Sequence, residues 1–249
     1  MRFGTFVPQG WKGDLDGVPV DEQWLRILDT ARSIEGAGYD SIWVYDHFHT
    51  HPVVKQESTF EAWTLMAALA TVTNRVRIGQ MCTCALYRPP SLLAKLAASV
   101  DVISGGRLDV GIGAGWSKGE FEAYGYRFPS AGERLDILEE SVQVLLAMWT
   151  QDEAEFGGTH FSVEGAVNRP RPIQEPHPPL WIAGGGEKRT LHIVARFGDF
   201  ANFNDKIDTF RHKSKVLAGH CEAVGRPFDE IGRTSHQMSV IGRDENDLR

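Results

Sequence analysis

"VRIGQMCTCALYRPPSLLAKLAASVDVISGGRLDVGIG", residues 76 to 113, decides the fold. It opens on an apolar run (VRIGQM, 76–81) and continues into a helix entered through Pro89-Pro90, with Leu93, Leu96, Ala97, Val100 and Ile103 at helical spacing. Gly105-Gly106 stop that helix and a second apolar run follows (RLDVGIG, 107–113). Proline just inside the start and glycine just past the end are the usual helix punctuation. Two buried strands joined by a helical crossover run parallel, because only a crossover returns the chain to the same end of a sheet.

The unit recurs in both directions. Upstream lie the run FGTFV (3–7) and a helix within 21–38 faced by Trp24, Ile27, Leu28, Ala31 and Ile34 and ended by Gly38. The run YDSIWVY (39–45) comes next, then a helix carrying Trp63, Met66, Ala67 and Ala70, for which Ser58 and Glu61 have capping-box spacing. Downstream, a long Gly/aromatic loop leads to a helix over 133–149 and a small hairpin insertion near 153–165, turning at Gly157-Gly158. Runs at 179–183, 199–203 and 233–241 complete the series, with helices near 187–196 and 205–224.

Seven such strands predict an α/β fold of the TIM (β/α)8 type, a single barrel domain over residues 1–249 that lacks its last strand. "GRDENDLR" (242–249) reads as the start of another helix, so the chain is expected to be C-terminally truncated.

A net charge of −7 with no long Lys/Arg cluster argues against nucleic acid or an anionic membrane as partner, which leaves a small molecule. No apolar stretch is long enough to span a bilayer and no signal peptide is visible, so a cytoplasmic location is expected. Cys82, Cys84 and Cys221 lack the spacing of a disulfide or metal framework and read as reduced thiols.

A barrel presents its chemistry at the carboxyl ends of its strands. "DHFHTH" (46–51) stands at such an end, with His47, His49 and His51 at alternate positions. A metal-dependent hydrolase would use such a row, but it needs ligands from other strand ends, and the remaining histidines fall in helices, the hairpin, a Pro-rich loop or, for His236, mid-strand. No metal is expected. His49 and His51 read as solvated loop residues, whereas Asp46-His47, a histidine beside a carboxylate, suits a proton donor or base.

Two further strand ends are rich in glycine. Gly184, Gly185 and Gly186, preceded by Ala183 and followed by a helix, could bring backbone N–H groups against phosphate. Gly113 and Gly115 in "GIGAGW" could let a flat ring approach the fourth strand. The surrounding loops carry aromatic residues, among them Trp11, Phe48 and Trp116, able to line a substrate mouth.

Taken in order, "FGTFVPQGW", "SIWVYDHF", "VRIGQMCTCALYRPP", "GRLDVGIGAGWSKGEFEAYG" and "PLWIAGGGEKRTL" resemble the bacterial luciferase-like superfamily, and within it the oxidoreductases dependent on coenzyme F420. The resemblance implies a (β/α)8 barrel, a homodimer, and a flavin-type ring at the mouth with its phosphate at Gly184–Gly186. It implies Asp46 and His47 as catalytic residues beside the ring, and Met81, Cys82 and Thr83 as its backing, with a non-proline cis peptide between Met81 and Cys82. Where some deazaflavin-dependent members carry a glutamate after the strand-four glycines this chain has Trp116, with Glu120 and Glu122 nearby. The compact chain favours F420 and hydride transfer to a small organic substrate. An FMN-dependent monooxygenase is the alternative, followed by a non-catalytic flavin-binding barrel.

Overall fold

The parallel register runs through the whole sheet of the computed structural model, which describes residues 1–203, 206–238 and 244. In chain order the elements are β1 (Gly4–Phe6), α1 (Val20–Gly36), β2 (Ser41–Val44), α2 (Ala62–Val72), β3 (Arg77–Gln80), β4 (Thr83–Cys84), α3 (Pro90–Ser104) and β5 (Leu108–Gly113). They continue as α4 (Lys118–Ala123), α5 (Ala131–Thr150), β6 (Ala154–Gly157), β7 (Ser162–Ala166), β8 (Leu180–Ala183), α6 (Thr190–Phe197), β9 (Phe200–Phe203), α7 (Ile207–Val224) and β10 (Gly232–Ser235).

The strands pair in the order β1-β2-β3-β5-β8-β9-β10, with β4 also on β5. Every one of these pairings is parallel. This is the expected barrel without its closing strand: a curled sheet whose open edges, among the described residues, are β1 and β10. The expected end of the last strand (239–241) and the helix expected over 242–249 lie outside the described residues, apart from Asp244. Among the described residues, no helix is long and apolar enough to cross a membrane.

Alternation along the strands divides two layers. Ile42, Val44, Ile78, Leu108, Val110, Ile112, Leu180 and Ile182 are buried in the main core cluster with residues of the surrounding helices. On the other face Trp43 meets Trp181 edge-on and Trp181 stacks on Phe200, with ring centroids 4.8 and 4.1 Å apart. Gly79 and Gly232 make room for these rings, since a Cβ on either would overlap Trp43 or Phe200. The barrel is thus filled, and a ligand is left the mouth.

Three local expectations are corrected. Helix α2 is capped by Glu61 itself, whose carboxylate accepts from the Trp63 and Thr64 N–H groups, so no capping box runs from Ser58. The hairpin turn spans 158–161 rather than the glycine pair alone, and Glu140 of α5 receives the N–H groups of Thr159, His160 and Phe161. Within the Gly/aromatic loop a short helix forms, α4, which carries Glu120.

β3 and β4 are one strand with a defect. Ile78 faces Leu108 while Thr83 faces Ile112, so the register slips by one residue, the count of a β-bulge. The Met81–Cys82 peptide at the slip is cis, as the resemblance implies.

Candidate active site

Asp46 and His47 are neighbours in sequence and point into different networks. His47 Nδ1 lies 2.6 Å from Glu120 Oε2, and Glu120 Oε1 receives the Phe48 N–H at 2.6 Å. The Tyr87 hydroxyl donates to Glu120 Oε2 at 3.0 Å. Glu120 is 1% exposed. Burial pushes its carboxyl up, but the hydrogen bonds from His47, Phe48 and Tyr87 prevail and hold it below the ordinary carboxylate range. An ionised carboxylate only accepts, so His47 carries its proton on Nδ1, and Nε2 is left to take or give another.

Asp46 is instead clamped by Arg88, Nη1 and Nη2 lying 2.8 and 2.9 Å from its two oxygens, and it accepts the Cys84 N–H at 2.9 Å. Arg88 Nη2 continues to Glu61 at 2.7 Å. The expectation that Asp46 orients His47 is corrected: that carboxylate is Glu120, and Asp46 ties β2 to the bulge and to the cap of α2. Alternation explains the split, since successive side chains leave an extended backbone on opposite sides.

The aromatic loop residues form two groups. Trp11 stacks on His47 with centroids 4.1 Å apart and planes 6° from parallel, and Trp116 meets the same imidazole edge-on at 5.6 Å. His51, half-buried in the loop, packs against both tryptophans at 5.5 Å. Within the histidine row, His47 Nδ1 is committed to Glu120 and His49 Nδ1 faces its neighbour's carbonyl, Thr50 O, at 3.2 Å. Phe48 leaves the mouth and packs with Tyr87, Tyr124 and Tyr126, against its expected place at the substrate.

Beyond the strands on the other side lies a cavity of about 220 Å³. Its lining comes from Met81 and Cys82 of the bulge, Ala183, Gly184 and Gly185 after β8, Asn202 of β9, Lys213 of α7 and His236 just past β10. His236 stands at a strand end, because β10 stops at Ser235. Three expected contacts are corrected. Thr83 is fully buried, and its hydroxyl has no hydrogen-bond partner among the described residues. The space that Gly113 and Gly115 leave is taken by protein, as a Cβ on them would lie 2.7 Å from Cys82 Sγ and Cys84 Sγ respectively. Those glycines accommodate the bulge.

Gly184 has φ +120°, which favours glycine, and a Cβ on Gly185 would overlap Lys213 Nζ. A Cβ on Gly186 would lie 2.8 Å from Thr190 Oγ1 in the first turn of α6. An ammonium against bare backbone, beside a hydroxyl and a helix N-terminus, is a donor set suited to phosphate. Cys82 takes no ionic part, as burial pushes its thiol up to about 12. Glu120, Lys213, Asn202 and His236 carried no motif that marked them as site residues; Glu120 is distinguished in sequence only by closely following the strand-four glycines.

Chemistry gathered beyond the carboxyl ends of a parallel curled sheet is the arrangement of barrel enzymes. The chain belongs to the luciferase-like monooxygenase family, whose model matches residues 1–249. It is 35% identical to the pyrimidine monooxygenase RutA of Escherichia coli over 264 aligned residues, covering 99% of this chain and 69% of that protein. Among solved structures it is similar to an F420-dependent secondary alcohol dehydrogenase in complex with an F420-acetone adduct, with TM-score 0.78, 25% identity and coverage of 94% of this chain and 68% of that one. It shares its fold with the EDTA monooxygenase EmoA of Chelativorans, with TM-score 0.82, 19% identity and coverage of 100% and 64%. An uncharacterized protein of Mycobacterium tuberculosis is 29% identical over 184 residues, 68% of this chain, and the chain spans 64% of that relative's length.

Proposed function

We propose that the protein is an oxidoreductase that transfers a hydride between coenzyme F420 and a small organic substrate, with His47 handling the accompanying proton. The observation that carries this reading is the buried Glu120 carboxylate on His47 Nδ1 at 2.6 Å. When bound, the cofactor supplies the two-electron hydride chemistry.

The chain's own residues do the rest. Lys213, Thr190 and the N–H groups of Gly184–Gly186 would hold the phosphate, and Met81 and Cys82 at the bulge would back the ring. A carbonyl reduced to an alcohol needs a proton on its oxygen, and an alcohol oxidised to a carbonyl must lose one. His47 Nε2 gives or accepts it, while Glu120 stabilises the imidazolium form. Trp11 fixes the plane of the imidazole, and Trp116, 58% exposed, closes over the substrate side. Asp46 acts as a positioning residue through Arg88.

A second reading is an FMN-dependent monooxygenase, favoured by the 35% identity with RutA. Separate titrations of the protein with F420 and FMN, followed by the absorbance of each chromophore, distinguish the two. Tighter F420 binding with substrate-dependent bleaching under nitrogen supports the first; tighter FMN binding with oxygen consumption supports the second.

A further inference from the structure

The cavity behind the bulge presents two neutral polar side chains on adjacent strands. Asn202 pairs in register with Thr234, which places His236 two residues further along the same face. Asn202 Nδ2 donates to Thr234 Oγ1 at 2.9 Å, and that hydroxyl donates to Ala201 O at 3.1 Å. With one N–H of its amide donated to Thr234, Asn202 offers a ligand its carbonyl oxygen, an acceptor of fixed orientation. His236 is held by Phe6, ring centroids 4.8 Å apart, and neighbours Tyr45 at 6.2 Å. Burial, with a contribution from Lys12, lowers its pKa and favours the neutral imidazole, one donor and one acceptor.

An acceptor beside a group able to donate complements an imide edge, in which a ring N–H is flanked by carbonyl oxygens. We propose that Asn202 and His236 read the imide edge of a planar ring, Asn202 Oδ1 accepting the ring N–H and His236 donating to a flanking carbonyl. The cavity, at about 220 Å³, is smaller than the roughly 300–1,000 Å³ of whole ligand sites, so it takes part of a ligand. Two sources carry this edge: the pyrimidinedione end of a flavin or deazaflavin, an arm that rests on the function proposed above, and a free pyrimidinedione.

The test is binding of four probes, namely F420, FMN, FMN methylated at the imide nitrogen, and uracil, to the wild-type protein, Asn202→Ala, His236→Ala and His236→Gln. Methylation removes the ring donor and is expected to weaken FMN binding to the wild type about fivefold to tenfold, the worth of one hydrogen bond. In Asn202→Ala the methylated and unmethylated forms should bind alike. His236→Ala should weaken cofactor binding by a similar factor, and His236→Gln, which keeps a donor, should restore most of it. Uracil binding that depends on Asn202 assigns the edge to a free pyrimidinedione, and cofactor binding with that dependence assigns it to the ring. Equal wild-type affinity for FMN and its methylated form, with uracil unbound, overturns the proposal whether or not the variants fold. A wild type that binds neither cofactor defeats the functional reading, while Asn202-dependent uracil binding would still uphold the imide edge.

Discussion

The two sides of the mouth differ in how their polar groups are used. Around β2, the bulge and α4, charged groups are matched with each other: Glu120 with His47 and Tyr87, Asp46 with Arg88, Arg88 with Glu61. Around β8, β9 and β10, the glycine loop, Asn202, Lys213 and His236 converge on a cavity. Buried charge is tolerated only with close partners, so the first side holds the His47 imidazole in place, where it is proposed to move a proton. On the second side, Asn202 and His236 are proposed to take a further partner each from a ligand. A substitution on the first side should therefore affect turnover and folding, and one on the second should affect affinity.

The sharpest way to break this contrast is His47→Ala, expected to lower turnover about 10²- to 10⁴-fold with cofactor affinity nearly unchanged, measured by steady-state kinetics beside a binding titration. A loss of affinity with turnover intact would reverse the roles of the two sides. Glu120→Ala should cost about 3 kcal/mol in denaturant unfolding, because it strands the Tyr87 hydroxyl and the Phe48 N–H in the interior. Glu120→Gln should keep the fold and still lower turnover, as an amide stabilises imidazolium poorly.

On the second side, Lys213→Met should weaken cofactor binding about tenfold and flatten its dependence on salt, with melting temperature little changed. Acid separates the two sides further. Glu120 titrates below its ordinary value of 4.5 in the folded protein, so its stabilising contribution is complete above that pH and is lost as pH falls through the lowered folded value. In Glu120→Gln that part of the acid-unfolding curve should disappear. His49→Ala, whose Nδ1 faces its neighbour's carbonyl, should change neither turnover nor affinity measurably.

The parallel sheet was legible because strands buried on both faces read as apolar runs and their crossover helices carry clear punctuation at Pro89-Pro90 and Gly105. His47 was legible because it ends such a run. Its partner was legible only as one of two nearby glutamates, Glu120 and Glu122, that the resemblance brought up, since Glu120 lies 73 residues away on a six-residue helix too short to show a period. Asp46 misled by adjacency, although the alternation of an extended chain already argues that it and His47 face apart. His236 was misplaced by strand length alone: β10 spans four residues, and the expected run ended later. Lys213 was invisible because a helix surface is where lysine ordinarily sits.

The one-residue slip at Met81–Cys82 acts as a phase change in the strand. Before it, Gly79 shares the barrel interior with Trp43; after it, Cys82 and Cys84 take the face that meets Gly113 and Gly115, and Thr83 is buried with its hydroxyl unpaired among the described residues. Odd positions point inward on one side of the slip and even positions on the other. Deleting a single residue there would restore a uniform phase while leaving Cys82 and Cys84 on the inward face and Thr83 on the opposite one, converting the floor of the mouth into an ordinary strand. Substitutions in this strand therefore compare across the slip only when position 79 is matched with 82 rather than with 81.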